Sequence, residues 1–137
     1  MPDRARPLRG IIDTSVVTDL GRLEPTQLPL EVAVSTITMA ELAAGPHAAE
    51  DAVERARRQD RLQRAEAAFD PLRFDIGAAR AYGRIYPATA SAGAKPSGPR
   101  ALDLLIAATA CSTGLPLYTR NEEDFRGLEG LVEIVAV

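Results

Sequence analysis

The sequence predicts a three-layer α/β/α domain with a mainly parallel central sheet. Strand-like and helix-like segments alternate along the 137 residues, and no Asn-Gly or Asp-Gly dipeptide joins two neighbouring strands as a hairpin. Because hydrophobic cores usually divide only beyond roughly 250 residues, this length predicts a single domain. We therefore expect one domain over residues 1–137, with residues 1–7 as a flexible N-terminal extension.

The first elements follow from local patterns. Residues 8–12 form a compact apolar run, typical of a buried strand, and Asp13 then provides an N-cap for a short helix closed by Gly21. Residues 31–35 predict a second strand. Residues 37–44 predict a helix that Gly45-Pro46 ends.

The remaining elements continue the alternation. Residues 48–69 are rich in Ala, Arg and Glu, and their apolar side chains fall near one helical face. The other predicted elements are a strand at 71–74, a helix from Asp75 toward Ala90 that Pro87 ends or kinks, a loop at 91–99, a helix at 101–113 closed by Gly114, strands at 115–119 and 131–137, and a helical turn at 121–125.

Composition excludes several classes of protein. No apolar run approaches the roughly 20 residues of a membrane span, and residues 1–7 lack the apolar stretch of a signal peptide. A single cysteine, Cys111, excludes an internal disulfide, and a single histidine, His47, argues against a His/Cys zinc site. We therefore expect a soluble cytoplasmic protein.

The net charge is acidic, and the basic residues are almost all of one type. A net charge of −3 argues against a protein that reads DNA sequence, since such proteins usually carry a basic face. Fifteen of the 16 basic residues are arginine. This bias fits either the codon usage of a GC-rich genome or the recognition of phosphate by guanidinium groups, and composition leaves both open.

Two acidic residues in the first third of the chain each have two interpretations. Asp13 directly follows the first strand, either as a plain N-cap or as part of a site at the sheet edge. Glu41 lies in Thr38-Met-Ala-Glu41, which has the spelling of a capping box. However, residues 37–44 leave almost no polar face, so we expect the Glu41 carboxylate to be partly enclosed and to need a partner.

Two more acidic residues lie later in the chain. Asp103 lies in the first turn of a predicted helix that carries no charge after it through Thr113. A charge at the boundary of a buried helix favours a site, although Arg100 could pair with it. Asp124 follows the fourth strand, three residues after Asn121. That spacing fits either a helix cap, with Asn121 as the capping residue, or a role for Asp124 in the site.

All four acids begin segments that follow, or could follow, a strand, and in a parallel sheet these positions meet at one edge. Their charges would repel unless a divalent cation binds, and oxygen ligands suit Mg²⁺ or Mn²⁺. Such a cation can activate water for displacement at a phosphoryl group. The side chains expected to orient ligands and waters around it are Thr14, Ser15, Thr119 and Asn121.

Four motifs in this order resemble those of the PIN-domain ribonucleases, in particular the VapC-type toxins of bacterial toxin–antitoxin pairs. Each motif alone is weak, but the four together are fairly specific and span the chain from about Leu8. The motifs are Ile-Ile-Asp13-Thr-Ser, Ser-x-Ile-Thr-x-Ala-Glu41-Leu, Asp103-x-x-Ile-Ala-Ala-Thr-Ala and Thr-Arg-Asn121-x-x-Asp124-Phe.

The resemblance implies a PIN-like fold and a metal-dependent endoribonuclease that acts on RNA. It implies Mg²⁺ or Mn²⁺ at Asp13, Glu41, Asp103 and a fourth acid, which in different members falls at the position of Asn121 or of Asp124. Because residue 121 is an amide here, we assign the fourth carboxylate to Asp124. The resemblance also implies a homodimer and a cognate antitoxin whose tail covers the site.

Beside this cluster, Arg120 is the first candidate to contact an RNA phosphate and Arg100 is a weaker one, whereas the Arg55–Arg64 run fits a solvated helix face.

A receiver-like signalling domain is disfavoured, because the single lysine, Lys95, lies in a loop. A phosphatase with Asp13 as nucleophile is also disfavoured, because its second following residue is Ser15 and not an acid. The main alternative is a non-catalytic PIN-like binding or dimerisation module within a toxin–antitoxin complex.

Overall fold

A computed structural model describes residues 7–137, in which four parallel strands form one sheet. The expected N-terminal extension, apart from Pro7, lies outside the described residues. The all-parallel pairing confirms the predicted α/β class. In the spatial order β2-β1-β3-β4, the strands are β1 (Arg9–Ile12), β2 (Glu31–Ala33), β3 (Leu117–Thr119) and β4 (Ile134–Ala136).

Helices connect these strands. Each of the first four helices begins at an N-cap whose side chain accepts a hydrogen bond from the backbone three residues later, and the caps predicted at Asp13 and Asp75 are among them. The helices are α1 (Thr14–Thr18), α2 (Thr36–Ala48), α3 (Ala52–Ala68), α4 (Ile76–Ser91) and α5 (Ala101–Thr113). Short 3₁₀ turns cover Leu20–Arg22, Pro25–Gln27, Gly98–Arg100 and Glu122–Phe125.

The sheet buries a separate apolar cluster on each face. Ile11 and Leu117, which pair across β1 and β3, pack in a cluster with residues of α4 and α5. Ile12 and Tyr118, the next residues along the same strands, belong to a second cluster with residues of α1, α2 and α3. Since successive side chains of a strand point to opposite faces, helices cover both sides of the sheet. The structure therefore has the three layers that the sequence predicts.

Helix α2 extends one turn beyond its predicted end. Gly45 and Pro46 lie inside the helix and not after it. Pro46 has no N–H to donate to the carbonyl four residues earlier, so the helix loses one bond there. At its end, the backbone N–H of Ala49 bonds to the Pro46 carbonyl instead of the Gly45 carbonyl. The Gly45 carbonyl oxygen accepts a hydrogen bond from Nη1 of Arg58 at 3.0 Å. An arginine of the next helix therefore stabilises the end of α2.

Other predicted boundaries also differ from the structure. Helix α4 reaches Ser91, one residue beyond the predicted Ala90, so Pro87 does not end it. The Gly83 carbonyl loses its helical donor, but Gly83 is exposed and its carbonyl can bond to water. The strand predicted at residues 71–74 is reduced to one parallel bridge between Leu72 and Ser35. The predicted helix 48–69 also begins later, because residue 51 caps α3.

The helices of the described residues are all too short or too polar to cross a lipid bilayer.

Candidate metal centre

The carboxyl ends of β1 and β3 are where this fold places a ligand site. In the sheet, β2 lies next to one edge of β1 and β3 lies next to the other edge. The strand order therefore reverses between β1 and β3. Open α/β sheets bind ligands at the carboxyl ends of strands at such a point. Two hydrogen bonds from backbone N–H groups join the segment after β1 to β3 and the residue that follows it. The Asp13 N–H donates to the Tyr118 carbonyl at 3.0 Å, and the Arg120 N–H donates to Ser15 Oγ at 3.0 Å.

Asp13 lies in this crevice and is only 4% exposed. Its Oδ1 accepts the Val16 backbone N–H at 3.1 Å and the Ser15 hydroxyl at 2.6 Å. Its Oδ2 has no hydrogen-bond partner among residues 7–137. The N-cap and site interpretations of Asp13 are therefore compatible, because one oxygen caps α1 and the other remains available to a ligand.

Glu41 is held at the same crevice by a chain of buried hydroxyl groups. Oε1 of Glu41 accepts a hydrogen bond from the Thr14 hydroxyl at 2.7 Å. Thr14 has one hydroxyl hydrogen, so it accepts in turn from Thr38 Oγ1 at 3.1 Å. Ser35 Oγ lies 3.4 Å from Thr38 Oγ1 and completes the chain. The Glu41 carboxylate is thus partly enclosed and has a hydrogen-bond partner, as its apolar neighbours predict.

The capping box predicted at Thr38 and Glu41 is wrong. The N-cap of α2 is Ser35, whose Oγ accepts the Thr38 backbone N–H at 3.1 Å, while Thr38 is fully buried inside the helix. Capping therefore leaves Glu41 available for another role. The sequence interpretation missed Ser35 and Thr38 as parts of the site, although Ser35 closely follows the second strand and Thr38 lies one turn further on.

Asp103, in the first turn of α5, has the clearest electrostatic signature in the crevice. The pKa of Asp103 is raised from 3.8 to about 7, and its burial is the largest cause. Arg100 acts in the opposite direction and lowers it. The negative charges of the three other predicted site carboxylates also raise it, in the decreasing order Asp124, Glu41 and Asp13. The structure therefore brings all four carboxylates close enough to interact.

Asp124 lies in the 3₁₀ turn after β3 and is partly exposed. The predicted side-chain cap from Asn121 does not form, because only the Asn121 backbone carbonyl accepts the Asp124 N–H, at 3.0 Å. Nη2 of Arg100 is 3.9 Å from Oδ1 of Asp124, which is beyond hydrogen-bond distance. The Asp124 carboxylate is thus only weakly paired within the protein.

The four expected supporting side chains divide into two pairs. Thr14 and Ser15 donate directly to site carboxylates, as described above. Thr119 is fully buried and its Oγ1 accepts the Asn121 backbone N–H at 3.0 Å. Neither the Thr119 hydroxyl nor the Asn121 amide bonds to a site carboxylate in the described residues. Nε of Arg120 lies 3.5 Å from Oδ2 of Asp19, so this arginine stands beside the crevice with an acidic partner of its own.

The donor set fits a hard divalent cation with only a few protein ligands. Within residues 7–137, no group of three or more His, Cys, Asp or Glu side chains is arranged to hold a metal ion. Mg²⁺ usually keeps several waters and binds one or two carboxylates together with substrate phosphate oxygens. All the converging donors are oxygens, and their charges repel one another at Asp103, so a cation of this class would relieve the repulsion.

Known proteins resemble this chain in sequence. Residues 11–131 match the PIN domain family, and this range contains all four carboxylates. Ribonuclease VapC5 of Mycobacterium tuberculosis is 38% identical over 136 residues, which cover 96% of this chain and 97% of that protein.

Solved structures show the same fold. The crystal structure of VapBC-5, a member of the VapBC family of toxin–antitoxin systems from Mycobacterium tuberculosis, matches with a TM-score of 0.83 and 37% identity, over 96% of this chain and 100% of that chain. FitAcB from Neisseria gonorrhoeae matches with a TM-score of 0.70 and 27% identity, over 90% of this chain and 94% of that chain.

Proposed function

This chain belongs to the PIN-domain family, and from that premise we propose that it is a VapC-type toxin, an endoribonuclease that depends on Mg²⁺ or Mn²⁺. The observation that carries the proposal is that the negative charges of Asp124, Glu41 and Asp13 all raise the pKa of Asp103, at the end of the sheet where the strand order reverses. The similarity to a ribonuclease and to a structure from a toxin–antitoxin system supports it.

In this proposal the cation lies among the four carboxylates, which hold it either directly or through its bound waters, with Oδ2 of Asp13 as one available ligand atom. When bound there, the cation supplies an activated water and offsets negative charge on the scissile phosphate. The Ser15 hydroxyl fixes the Asp13 carboxylate at 2.6 Å, and the Thr14 hydroxyl fixes that of Glu41 at 2.7 Å. Fixing these groups before the substrate binds lowers the reorganisation that cleavage requires. The other two carboxylates of the set are Asp103 and Asp124.

Two arginines beside the carboxylates are the candidates for contact with a backbone phosphate of the RNA. Arg100 lies near Asp103 and Asp124 and has no close hydrogen-bonded carboxylate, so its guanidinium is free to bind an anion. Arg120 also borders the crevice, but its pairing with Asp19 at 3.5 Å competes with a phosphate. We therefore rank Arg100 above Arg120, which reverses the order that the sequence suggests.

The partners in this proposal are an RNA substrate, a second copy of the chain and a cognate antitoxin, and the place of action is the cytoplasm. VapBC-5 is described as a member of a toxin–antitoxin family, which supports the antitoxin. We expect a small neighbouring reading frame that encodes a DNA-binding protein. When both proteins are expressed together, the encoded protein should co-purify with this chain.

Cleavage of a panel of structured RNAs tests the proposed reaction. The purified chain is expected to cut at least one RNA with Mg²⁺ or Mn²⁺ present, to stop when EDTA removes the ion, and to resume when the ion is restored. Cleavage that continues unchanged in EDTA contradicts metal dependence. Mn²⁺ binding without cleavage of any RNA, measured on the same preparation, favours the non-catalytic module instead.

A further inference from the structure

A cleft of about 370 Å³ opens beside two of the site carboxylates and is lined by two basic side chains. We propose that Lys95 and Arg100 form a subsite in this cleft for a backbone phosphate of RNA next to the one that is cleaved. This inference rests on the proposed ribonuclease function. The cleft is lined by Lys95, Ser97, Pro99, Arg100, Asp103 and Asp124.

The Arg100 side chain has unused hydrogen-bond donors. Its Nε is buried and has no hydrogen-bond partner in the described residues, and its Nη2 remains 3.9 Å from Asp124. A buried donor on a charged group is costly when it is left unsatisfied. By contrast, Nε of Arg58 and Nε of Arg64 each lie within 3.0 Å of a carboxylate oxygen. Nε itself is enclosed, so an anion in the cleft would bind the terminal nitrogens of Arg100, which have no carboxylate within hydrogen-bond distance in the described residues.

Lys95 and Ser97 add polar groups to the same wall. Lys95, the single lysine of the chain, is exposed and has no acidic side chain within 4.0 Å in the part of the protein described. Ser97 is the N-cap residue of the turn Gly98–Arg100, but its hydroxyl makes no capping bond. An ammonium, a hydroxyl and a guanidinium without fixed partners thus face one cleft, and these are the side-chain groups that bind phosphate in proteins.

The position of the cleft selects RNA over a free anion. Asp103 and Asp124 belong both to the cleft and to the carboxylates that hold the cation in the proposed function. When the scissile phosphate of an RNA strand binds that cation, the next phosphate of the RNA therefore lies beside Lys95 and Arg100. With the cation bound, the negative charge of the two aspartates is offset, which leaves the two basic side chains to attract the strand.

The single lysine provides a direct binding test on the full-length chain. Reductive ¹³C-methylation labels Lys95 as the one lysine signal in an NMR spectrum, separate from that of the amino terminus. With Mg²⁺ present, an RNA oligonucleotide, checked by gel electrophoresis to be intact at each point of the titration, is expected to shift the Lys95 signal until binding saturates. A signal that stays in place while fluorescence anisotropy shows the RNA bound overturns the subsite. A shift with an acidic peptide but not with RNA also overturns it.

Kinetics of matched variants give a second test. Lys95→Gln is expected to raise KM by roughly three- to tenfold, with a much smaller effect on kcat, and to reduce the slope of log binding constant against log salt by about 1. Lys95→Arg should restore most of the affinity. Arg84→Gln, which removes the same charge from an exposed position on α4, is the control and should change neither value.

The two proposals fail in different ways. If the wild-type protein cleaves RNA and Lys95→Gln behaves like Arg84→Gln, the subsite is wrong and the ribonuclease function stands. If the wild-type protein neither binds nor cleaves any RNA, the ribonuclease function is wrong, and the subsite is wrong with it.

Discussion

The Thr14 hydroxyl donates a 2.7 Å hydrogen bond to Oε1 of Glu41, and it joins two residues that lie 27 positions apart in the sequence. Thr14 opens the helix after β1, and Glu41 belongs to the helix after β2. The bond therefore connects two neighbouring strand ends at the proposed metal centre. Behind it, the fully buried Thr38 supports Thr14 at 3.1 Å.

The first prediction concerns this hydroxyl chain. Thr38→Val keeps the shape of the side chain but removes the donor to Thr14, so the Glu41 carboxylate loses its fixed orientation. Because supporting hydrogen bonds around metal ligands are typically worth 10- to 100-fold in affinity or activity, we expect roughly a tenfold loss in Mn²⁺ affinity and in kcat. Isothermal titration calorimetry and RNA cleavage measure the two effects.

Two variants distinguish positioning from a general loss of stability. Thr38→Ser retains a hydroxyl and should recover most of the Mn²⁺ affinity. Thr109→Val removes another fully buried hydroxyl, which donates to the Leu105 carbonyl at 3.1 Å in α5, and should leave Mn²⁺ affinity unchanged. Equal losses of Mn²⁺ affinity in Thr38→Val and Thr109→Val contradict the positioning role.

The second prediction concerns pH. The pKa of Asp103 is about 7 in the folded protein against 3.8 for an ordinary aspartate, so between about pH 4 and pH 7 the folded state keeps a proton that the unfolded state has lost. The Asp103 contribution to the free energy of unfolding of the metal-free protein therefore decreases as pH rises through this window. Urea denaturation in EDTA at several pH values measures the slope.

Asp103→Asn is the control for that slope, because an amide does not titrate. The variant should show a weaker loss of stability between about pH 4 and pH 7 than the wild type. Saturating Mg²⁺ should stabilise the wild type most at pH values above about 7, where Asp103 is ionised before the cation arrives. Identical pH slopes in the two proteins contradict the assignment of the slope to Asp103.

The third prediction concerns the end of α2. Arg58 donates to the Gly45 carbonyl at 3.0 Å and pairs with Glu54 at 3.0 Å while it is partly buried. Arg58→Gln should reduce the free energy of unfolding by about 1–2 kcal/mol, because a carbonyl at a helix end loses a charged donor. Arg64→Gln breaks a more exposed pair with Asp60 and should reduce it by less than about 0.5 kcal/mol. Chemical denaturation of both variants compares them, and equal losses contradict the capping role.

Much of the site could be predicted because its signals are local. Asp13 and Asp75 cap helices through the backbone three residues later, so the sequence reveals both helix starts. The apolar stretch after Asp103 likewise shows that the carboxylate stands at the edge of a buried helix. Parallel strand order then brings such positions to one edge of the sheet, which is why four separate acids predict one cluster.

The errors arose where a distant residue decides the local structure. Arg58, 13 residues away, accommodates the Gly-Pro pair inside α2. The hydroxyl bond between Thr14 and Thr38 spans 24 residues, so no short motif reveals it. The sequence places Lys95 in an exposed loop but does not reveal that this loop forms one wall of a cleft beside Asp103.

Cleavage by carboxylate variants tests the central proposal most directly. Asp13→Asn and Asp103→Asn, purified beside the wild type and checked for folding by circular dichroism, should each lose RNA cleavage by roughly a hundredfold or more with Mg²⁺ or Mn²⁺. Mn²⁺ binding should weaken in the same preparations. Retention of wild-type cleavage by both folded variants, free of contaminating nuclease, would contradict a metal-dependent ribonuclease site at this end of the sheet.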